Sequence, residues 1–237
     1  MILQNKNKEN EKIDAMFAVG AHFGYHRSRR HPSVLKYIFG RKNNVEIINL
    51  EKTAEKLEEA KEFVKKIASE NKQILLVGGK KEAQSVIEAA ALKIDQPYVA
   101  GRWIGGTLTN FEEIKKRVKQ YLDLQSQKEK GELVKYKKKE RLMIDREIER
   151  LSEKFSGISN MEVRPAAVFL IDADREDIAR EEAINSKIPI ISLCGTDCNY
   201  DKIDYVIPGN DSSLESIKFF VEEIVSAFQE GQKNQTK

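Results

Sequence analysis

The turn that joins a buried strand to a helix in LLVGGKKEA carries groups with clear chemical potential. Its Gly78, Gly79 and Lys80 stand where α/β proteins often hold a phosphate on the amides of a helix N-terminus. The spacing matches neither GxxxxGK[ST] nor GxGxxG, so it indicates a tight turn with a lysine. Asp172 and Asp174 end a later strand, where paired carboxylates could hold magnesium, although an N-cap role for Asp174 also fits. A nucleotide-binding α/β enzyme that uses this turn is therefore the alternative function.

Two pairs of potential metal ligands have a spacing of four residues. His22 and His26 flank Gly24, which weakens the helix that this spacing needs, and Cys194 and Cys198 lack the tight CxxC spacing of most zinc sites. No serine lies in a Ser/His/acid context in the sequence. The two cysteines suit a reducing compartment rather than a disulfide framework. We expect no metal, no cofactor and no catalytic residue.

A basic stretch at residues 15–45 contains no acidic residue and all three histidines. Clustered Lys and Arg displace counterions from a nucleic-acid backbone, and aromatic rings between them can stack on bases. Such a stretch either binds phosphates or forms a solvated loop. We predict that its early arginines and aromatic residues form one exposed cationic surface. The cations are Arg27, Arg29, Arg30, Lys36, Arg41 and Lys42, and the aromatic residues are Phe17, Phe23, Tyr25, Tyr37 and Phe39.

Polar side chains also cluster in AGRWIGGTLTNFEEIKKR, which follows a short predicted strand. The carboxyl ends of parallel strands form the edge at which such sheets bind their partners. Trp103 is either a core residue or part of that edge, whereas Arg102 and Thr107 are polar groups placed there. Thr109 or Asn110 fits the N-cap of the helix that follows.

Runs of β-branched residues alternate with amphipathic stretches along most of the chain, which is typical of a parallel sheet with helical crossovers. The strand runs are continuously apolar, which indicates burial on both sheet faces. The sequence therefore predicts a three-layer α/β domain. Its predicted strands are at 45–50, 73–78, 97–100, 166–172, 188–193 and 205–208, and its helices are at 51–70, 81–92, 176–186 and 213–228.

The region 111–157 interrupts this alternation. Apolar residues recur at alternating spacings of three and four residues on both sides of Gly131, which is typical of a coiled coil. We predict an inserted antiparallel helical hairpin that projects about 25–35 Å from the sheet. A third hypothesis is a scaffold that presents this hairpin to another protein. Deletion of residues 115–152 would then abolish partner capture and spare RNA binding.

Charge is divided unevenly along the 237 residues, which are 33% charged and 40% hydrophobic. Residues 158–237 carry 8 basic and 15 acidic residues, a formal charge of −7, whereas residues 1–157 carry 33 basic and 23 acidic residues, a charge of +10. We expect the acidic segment to face solvent or a basic protein neighbour. No apolar run approaches the roughly 18 residues that cross a bilayer, so we expect no membrane association. The first dozen residues and those after Gln229 are polar and expected to fray.

Ordered motifs along nearly the whole chain, residues 13–229, resemble the family of small-subunit ribosomal protein S2 of the bacterial or organellar type. The order and spacing of the motifs, and the place of the predicted hairpin, match that family. The motifs are GAHFGYHRSRRHPSVLKYIFGRKNNVEIINLEKT, ILLVGGKKEAQSVI, GRWIGGTLTNFEEI, PAAVFLIDADREDIAREEA and IPIISLCGTDCNYDKIDYVIPGNDSSLESI.

The resemblance implies a flavodoxin-like parallel sheet with a protruding coiled coil, in which residues 1–110 and 158–229 form one domain, 111–157 the inserted hairpin and 230–237 a flexible tail. It implies a non-enzymatic structural component of the small ribosomal subunit, on cytoplasmic or organellar ribosomes. The implied partners are ribosomal RNA and neighbouring ribosomal proteins, with ribosomal protein 1 among them in many bacteria, and no small-molecule substrate. The implied RNA contacts are His22, Tyr25, His26, Arg27, Arg29, Arg30, Lys36, Arg102, Trp103, Thr107, Thr109, Asn110, Lys115 and Lys116.

Overall fold

The computed structural model describes residues 2–233, and the side chains of residues 10–233. Its strands are β1 (Phe23–His26), β2 (Ile38–Lys42), β3 (Val45–Ile48), β4 (Ile74–Val77), β5 (Tyr98–Val99), β6 (Ala167–Ile171), β7 (Ile190–Cys194) and β8 (Tyr205–Pro208). Its α-helices are α1 (Ile2–Ala18), α2 (Leu50–Ser69), α3 (Lys81–Ile94), α4 (Phe111–Glu129), α5 (Lys138–Phe155), α6 (Asp177–Asn185) and α7 (Leu214–Lys233).

Strands β4 to β8 form a parallel sheet in the order β5-β4-β6-β7-β8. Counted along the chain, this is the 2-1-3-4-5 order of flavodoxin-like folds. In the central strands Leu76 pairs with Phe169 and Phe169 pairs with Ile191, and all three side chains are fully buried. Burial of every residue of β4, β6 and β7 explains why their sequences are continuously apolar. The predicted α/β fold is confirmed.

Helices cover both faces of the parallel sheet. On one face α2, α3 and α7 pack together, and Leu57, Ile87 and Phe220 are fully buried there. Helix α2 begins after Asn49, whose side-chain oxygen accepts hydrogen bonds from the amides of Glu51 and Lys52 and so forms a regular N-cap. On the other face α6 and the sheet-proximal ends of α4 and α5 enclose a second core, to which Phe155 belongs. The sheet therefore lies between two helical layers.

The predicted strand at residues 45–50 is real, but its place in the parallel sheet is wrong. As β3 it forms the centre of a separate antiparallel sheet in the order β1-β3-β2. Strands β1 and β2 were not predicted, because both are short and largely exposed and so lack a clear apolar pattern. Asn43 and Asn44, both with positive φ, make the tight turn from β2 to β3, a turn that asparagine tolerates.

Helices α4 and α5 lie side by side and run antiparallel. The Tyr121 hydroxyl donates to Ser152 Oγ at 3.4 Å, and Lys128 Nζ lies 2.7 Å from Asp145 Oδ1. Later residues of α4 thus face earlier residues of α5. Gly131, with a φ of 71°, lies in the connection between them. A coiled coil that projects from the sheet, and the division of the chain into domains, stay predictions.

Both chain ends extend the helical structure further than predicted. The expected fraying of the first dozen residues is wrong for residues 2–12, because they belong to α1, in which Met16 is fully buried; Met1 lies outside the described residues. Helix α7 continues to Lys233 and so passes through the expected boundary at residue 230. Residues 234–237 of the predicted tail lie outside the described part of the chain. Within that part, no helix has the length and apolarity of a membrane span.

Candidate nucleic-acid interface

Backbone hydrogen bonds join the basic stretch to the carboxyl ends of β7 and β8. The amide of Tyr25 donates to Thr196 Oγ1 at 2.8 Å, and the amide of His31 donates to the carbonyl of Thr196 at 2.9 Å. The amide of Asn210 donates to the carbonyl of Ala21 at 3.0 Å. The antiparallel sheet is therefore fixed to the same edge at which the GRWIGGTLTN loop leaves the parallel sheet.

A buried ion cluster lies beneath this junction. Lys80 Nζ lies 2.7 Å from Asp172 Oδ2 and 3.1 Å from Asp211 Oδ2, and the Tyr25 hydroxyl donates to Asp211 Oδ1 at 3.1 Å. Burial favours the neutral amine, but the carboxylates of Asp211 and Asp172 outweigh that effect and raise the pKa of Lys80 above its ordinary value. Lys80 is thus a charged structural residue whose partners come from the protein itself.

The turn at residues 78–80, which the alternative nucleotide-binding function would use, contacts the protein's own side chains. The amide of Gly79 donates to Glu176 Oε1 at 2.9 Å, so that donor is not free for a phosphate. Asp172 Oδ1 accepts hydrogen bonds from the amides of Asp174 and Arg175. Asp172 therefore stabilises the turn before α6, and the predicted N-cap role of Asp174 is wrong. The Lys80 ammonium, the Gly79 amide and the Asp172 carboxylate are thus all engaged by other groups of the protein.

Two of the early arginines are ion-paired, which corrects the prediction of one free cationic surface. Arg30 lies 2.9 Å from Glu46, whose side chain is only 3% exposed, so this pair is part of the packing. Arg29 lies 3.0 Å from Asp197, and its guanidinium group stacks on the Tyr25 ring at 4.5 Å. The Arg29 side chain is still 61% exposed and can reach a ligand.

Four other cations of the stretch are exposed and have no ion-pair partner among the residues described. One is Lys36, whose ammonium group lies 5.1 Å from the centre of the Tyr37 ring. The other three are Arg27, Arg41 and Lys42, which we call the turn cations. The amide of Arg27 donates to the carbonyl of Asn44 at 2.9 Å, which places it beside the β2–β3 turn that follows Lys42. Arg41 and Lys42 were recognised as basic but were not among the predicted contacts. Their position on an exposed turn is the signal that distinguishes them.

The histidines have structural contacts. His22 stacks on Phe17 with ring centroids 4.4 Å apart, and its partial burial lowers its pKa. His26 is exposed, and its Nδ1 accepts a hydrogen bond from the Ser28 amide. Cys194 and Cys198 are buried free thiols, the Cys194 thiol donates to Ser192 Oγ at 3.2 Å, and burial raises the pKa of Cys194. Within residues 10–233, no group of three or more His, Cys, Asp or Glu side chains could hold a metal ion.

One buried carboxylate, Glu182 of α6, holds the GRWIGGTLTN loop. Burial would raise the pKa of Glu182, but its hydrogen-bond donors outweigh that effect and lower it. The carboxylate is therefore charged and is held by the loop that it organises. Its five hydrogen bonds come from Trp103 Nε1 (3.1 Å), the amides of Gly106 (2.6 Å), Leu108 (2.9 Å) and Thr109 (3.2 Å), and the Thr109 hydroxyl (3.2 Å).

This arrangement limits two predicted contacts in the loop. Thr107 is 1% exposed, so its side chain is structural and cannot contact RNA, whereas Trp103 is 7% exposed and only its edge beside the neighbouring recess is accessible. Arg102, Thr109 and Asn110 are exposed, and Asn110 occupies the N-cap position of α4 without a capping side-chain hydrogen bond. The remaining predicted cations, Lys36, Lys115 and Lys116, are also exposed, and Lys116 pairs with Glu113.

Arg175 connects the two predicted groups of contacts, and the sequence analysis did not select it. A cavity of about 440 Å³ is lined by Arg29, Lys80 and Arg175, and a second of about 410 Å³ by Arg102 and Arg175. Arg175 is exposed and lies just past the carboxyl end of β6. That position at the binding edge of a parallel sheet is a signal that could have identified it.

Known proteins resemble the chain along nearly its whole length. A sequence model of ribosomal protein S2 matches residues 16–231. The small ribosomal subunit protein uS2 of Roseiflexus castenholzii is 42% identical over 217 residues, which cover 92% of this chain and 82% of that protein. The uS2 protein of Psychromonas ingrahamii is 40% identical over 224 residues, which cover 94% of this chain and 92% of that protein. Because these matches span nearly all of the folded chain, it belongs to the ribosomal protein S2 family.

Proposed function

We propose that the chain is a structural component of the small ribosomal subunit and binds its ribosomal RNA through the carboxyl edge of the parallel sheet. The observation that carries this proposal is the set of exposed cations on that edge that lack an acidic partner among the described residues. They include Arg102 and Arg175, together with the turn cations of the antiparallel sheet that is fixed to that edge. A cation whose charge is not cancelled by a neighbouring carboxylate attracts phosphate most strongly.

The shape of the edge favours contacts with the RNA backbone and with unpaired nucleotides. The deep major groove of an A-form helix is closed to side chains, so proteins bind RNA through phosphates, sugars and splayed bases. The β2–β3 turn presents its cations on a protruding corner, and Arg102 and Arg175 flank a recess. Both geometries suit phosphate contacts without a sequence-specific reading of a duplex.

Protein neighbours on the ribosome complete this proposal. By resemblance to the family, neighbouring small-subunit proteins contact the chain, and ribosomal protein 1 is anchored beside it. The work of such a component lies in assembly and translation, not in chemical catalysis. The rival nucleotide-binding function is not favoured, because Glu176, Asp172 and Asp211 occupy the groups that it would need.

Reversal of the three turn cations tests the proposal. The triple variant Arg27→Glu, Arg41→Glu, Lys42→Glu should weaken binding of the purified chain to small-subunit ribosomal RNA by at least tenfold, because three phosphate contacts are replaced by repulsion. In a cell that expresses the variant as its sole copy, sedimentation should find less of it with the small subunit. Binding is measured by filter retention at fixed ionic strength.

A matched control separates the surface from net charge. Lys66 and Lys93 lie near the last turns of α2 and α3, and Arg164 lies just before β6, so all three are at the opposite end of the sheet; each is exposed and has no ion-pair partner among the described residues. Their reversal to Glu changes the total charge by the same amount and should alter RNA affinity less than threefold. Equal losses in the two triple variants, or no loss in either, would rule out the carboxyl edge as the RNA surface.

A further inference from the structure

A recess of about 410 Å³ opens at the carboxyl ends of β4, β5 and β6. In a 2-1-3-4-5 sheet the connections leave β4 and β6 in opposite directions, and ligands bind at the crevice this creates. The residues that follow each of the three strands line the recess. Gly79 follows β4, Arg102 and Trp103 follow β5, and Arg175 and Ile178 follow β6.

Two arginines of the recess are unpartnered. Arg102 and Arg175 are exposed, and neither guanidinium group has an ion-pair or hydrogen-bond partner within the described chain. The wall also contains two acids, so the recess has no net formal charge, but each acid accepts a backbone amide rather than pairing with an arginine. Glu176 accepts the Gly79 amide, and Asp177 Oδ1 accepts the amide of its neighbour Ile178 at 2.8 Å. Two guanidinium groups on opposite loops thus face the opening, which is a suitable arrangement for a phosphate.

The remaining walls suit a flat base. Ile178 is 54% exposed although it is an aliphatic residue at the start of α6, and Trp103 contributes an apolar wall. The Gln84 side-chain amide donates to the carbonyl of Gly79, while no partner for its carbonyl oxygen is found among the described residues. Nothing would approach a Cβ at Gly101 within 4 Å, so the mouth of the recess is open on that side.

We propose that this recess receives one unpaired nucleotide of the bound RNA, with its phosphate between Arg102 and Arg175 and its base against Ile178. This inference rests on the proposed function. The occupant is a nucleotide within an RNA chain because Arg175 also lines the neighbouring cavity beside the exposed Arg29, so the backbone of a longer chain can continue past the recess. Arg175 serves both cavities and is the central residue of the contact.

A photo-crosslinker at Ile178 tests the placement. The full-length chain with p-benzoylphenylalanine at this position is bound to small-subunit ribosomal RNA, irradiated, and mapped by reverse transcription. The expected result is a stop at one unpaired nucleotide. In parallel, Arg175→Ala and Ile178→Ser should each lower RNA affinity about fivefold or more, the low end of the effect of removing a base platform. Their matched controls, Arg164→Ala and Ile184→Ser, change exposed residues outside the recess and should lower it less than twofold.

The experiment separates failure of the recess from failure of RNA binding by the chain. Reverse-transcription stops within paired helices, or RNA affinities of the variants equal to those of their controls, would overturn the proposal that the recess holds a nucleotide. Either result is compatible with RNA binding by the wild-type chain at other residues. Absence of RNA binding by the wild-type chain overturns the proposed function itself. Binding of free adenosine monophosphate that Arg175→Ala abolishes, without any crosslink to RNA, identifies a free nucleotide as the occupant and overturns the inference.

Discussion

Glu182 shows how a single buried charge can organise a loop that is close to it in space but distant in sequence. It accepts five hydrogen bonds from residues 103–109, which lie more than 70 positions earlier in the chain. Three of the donors are backbone amides, so the carboxylate shapes the main chain itself. The exposed position of Arg102, next to this segment, thus depends on a residue of another element.

Replacement of this carboxylate should destabilise the protein strongly. Glu182→Ala leaves the Trp103 indole and three amides without their acceptor, and we expect a loss of at least about 3 kcal/mol of unfolding free energy in urea denaturation. Because the pKa of Glu182 is lowered on folding, its stabilisation is present above its ordinary value of 4.5 and is lost as pH falls through the folded value. Glu181→Ala, which removes an exposed pair with Lys202, is the control and should cost less than about 1 kcal/mol. Similar losses in both variants would refute this role.

The pKa of Asp197 is shifted in the opposite direction to that of Glu182. Burial, followed by the charge of Asp211, raises its pKa to about 6 even though Arg29 opposes the change. The folded protein therefore binds this proton more tightly than the unfolded chain, whose aspartate titrates near 3.8. The contribution of Asp197 to stability should therefore increase as pH falls through 6, and should level off below its unfolded pKa of 3.8.

The variant Asp197→Asn isolates this effect. It lacks the titrating proton, so the unfolding free energy of the wild type relative to the variant should rise between pH 8 and pH 5. Chemical denaturation at both values measures the difference, and an NMR titration of the Asp197 carboxyl carbon should show a midpoint near 6. A difference that is constant with pH, together with a midpoint near 4, would contradict the burial argument.

At the scale of elements, helices α4 and α5 divide into a base and an arm. Phe111, Ile114, Leu151 and Phe155 of the base are buried in the second core, whereas Leu133 is the single buried residue of 122–150. Most hydrophobic stabilisation follows from burial, so the base contributes to the stability of the sheet domain and the arm contributes little.

Shortening of the arm tests this division. Removal of residues 125–148, with a short Gly/Ser link between the facing ends of the two helices, should shift the melting temperature by less than about 4 °C. The base substitution Leu151→Ala should instead cost about 2–4 kcal/mol, because it opens a cavity at a residue only 2% exposed. An unfolded truncation product would show that the arm is needed for folding.

At the scale of the whole molecule, the uneven charge of the sequence is partly neutralised by folding. The pairs Arg29–Asp197, Lys61–Glu223 and Lys80–Asp172 each join a base of the first 157 residues to an acid of the last 80. The acidic segment therefore does not simply face solvent or a partner, as expected from the sequence. Under the proposed function, the cations left unpaired on the carboxyl edge are those that contact RNA.

The number of these cations predicts the salt dependence of RNA binding. With five phosphate contacts, from the turn cations, Arg102 and Arg175, affinity should fall about 100- to 500-fold between 50 and 200 mM salt. Filter binding over that range measures the slope. A fall of less than about tenfold would mean that most of the five do not contact phosphates.

The sequence by itself determined the parallel sheet, its main helices and the family. Continuous apolar runs such as ILLV of β4 and AVFLI of β6 are local signals, because each strand is buried on both faces whatever its neighbours are. The spacing of apolar residues on both sides of Gly131 is a local signal of the same kind, and α4 and α5 form where it predicts helices.

Only the tertiary structure decided which polar residues are free. Arg29 and Asp197 are 168 positions apart, Trp103 and Glu182 are 79 apart, and nothing local in the sequence relates them. The same limit hid the antiparallel sheet, whose short exposed strands are held by pairing rather than by their own pattern. Availability for RNA depends on how a charge is paired and buried, and pairing is a property of residues that folding brings together.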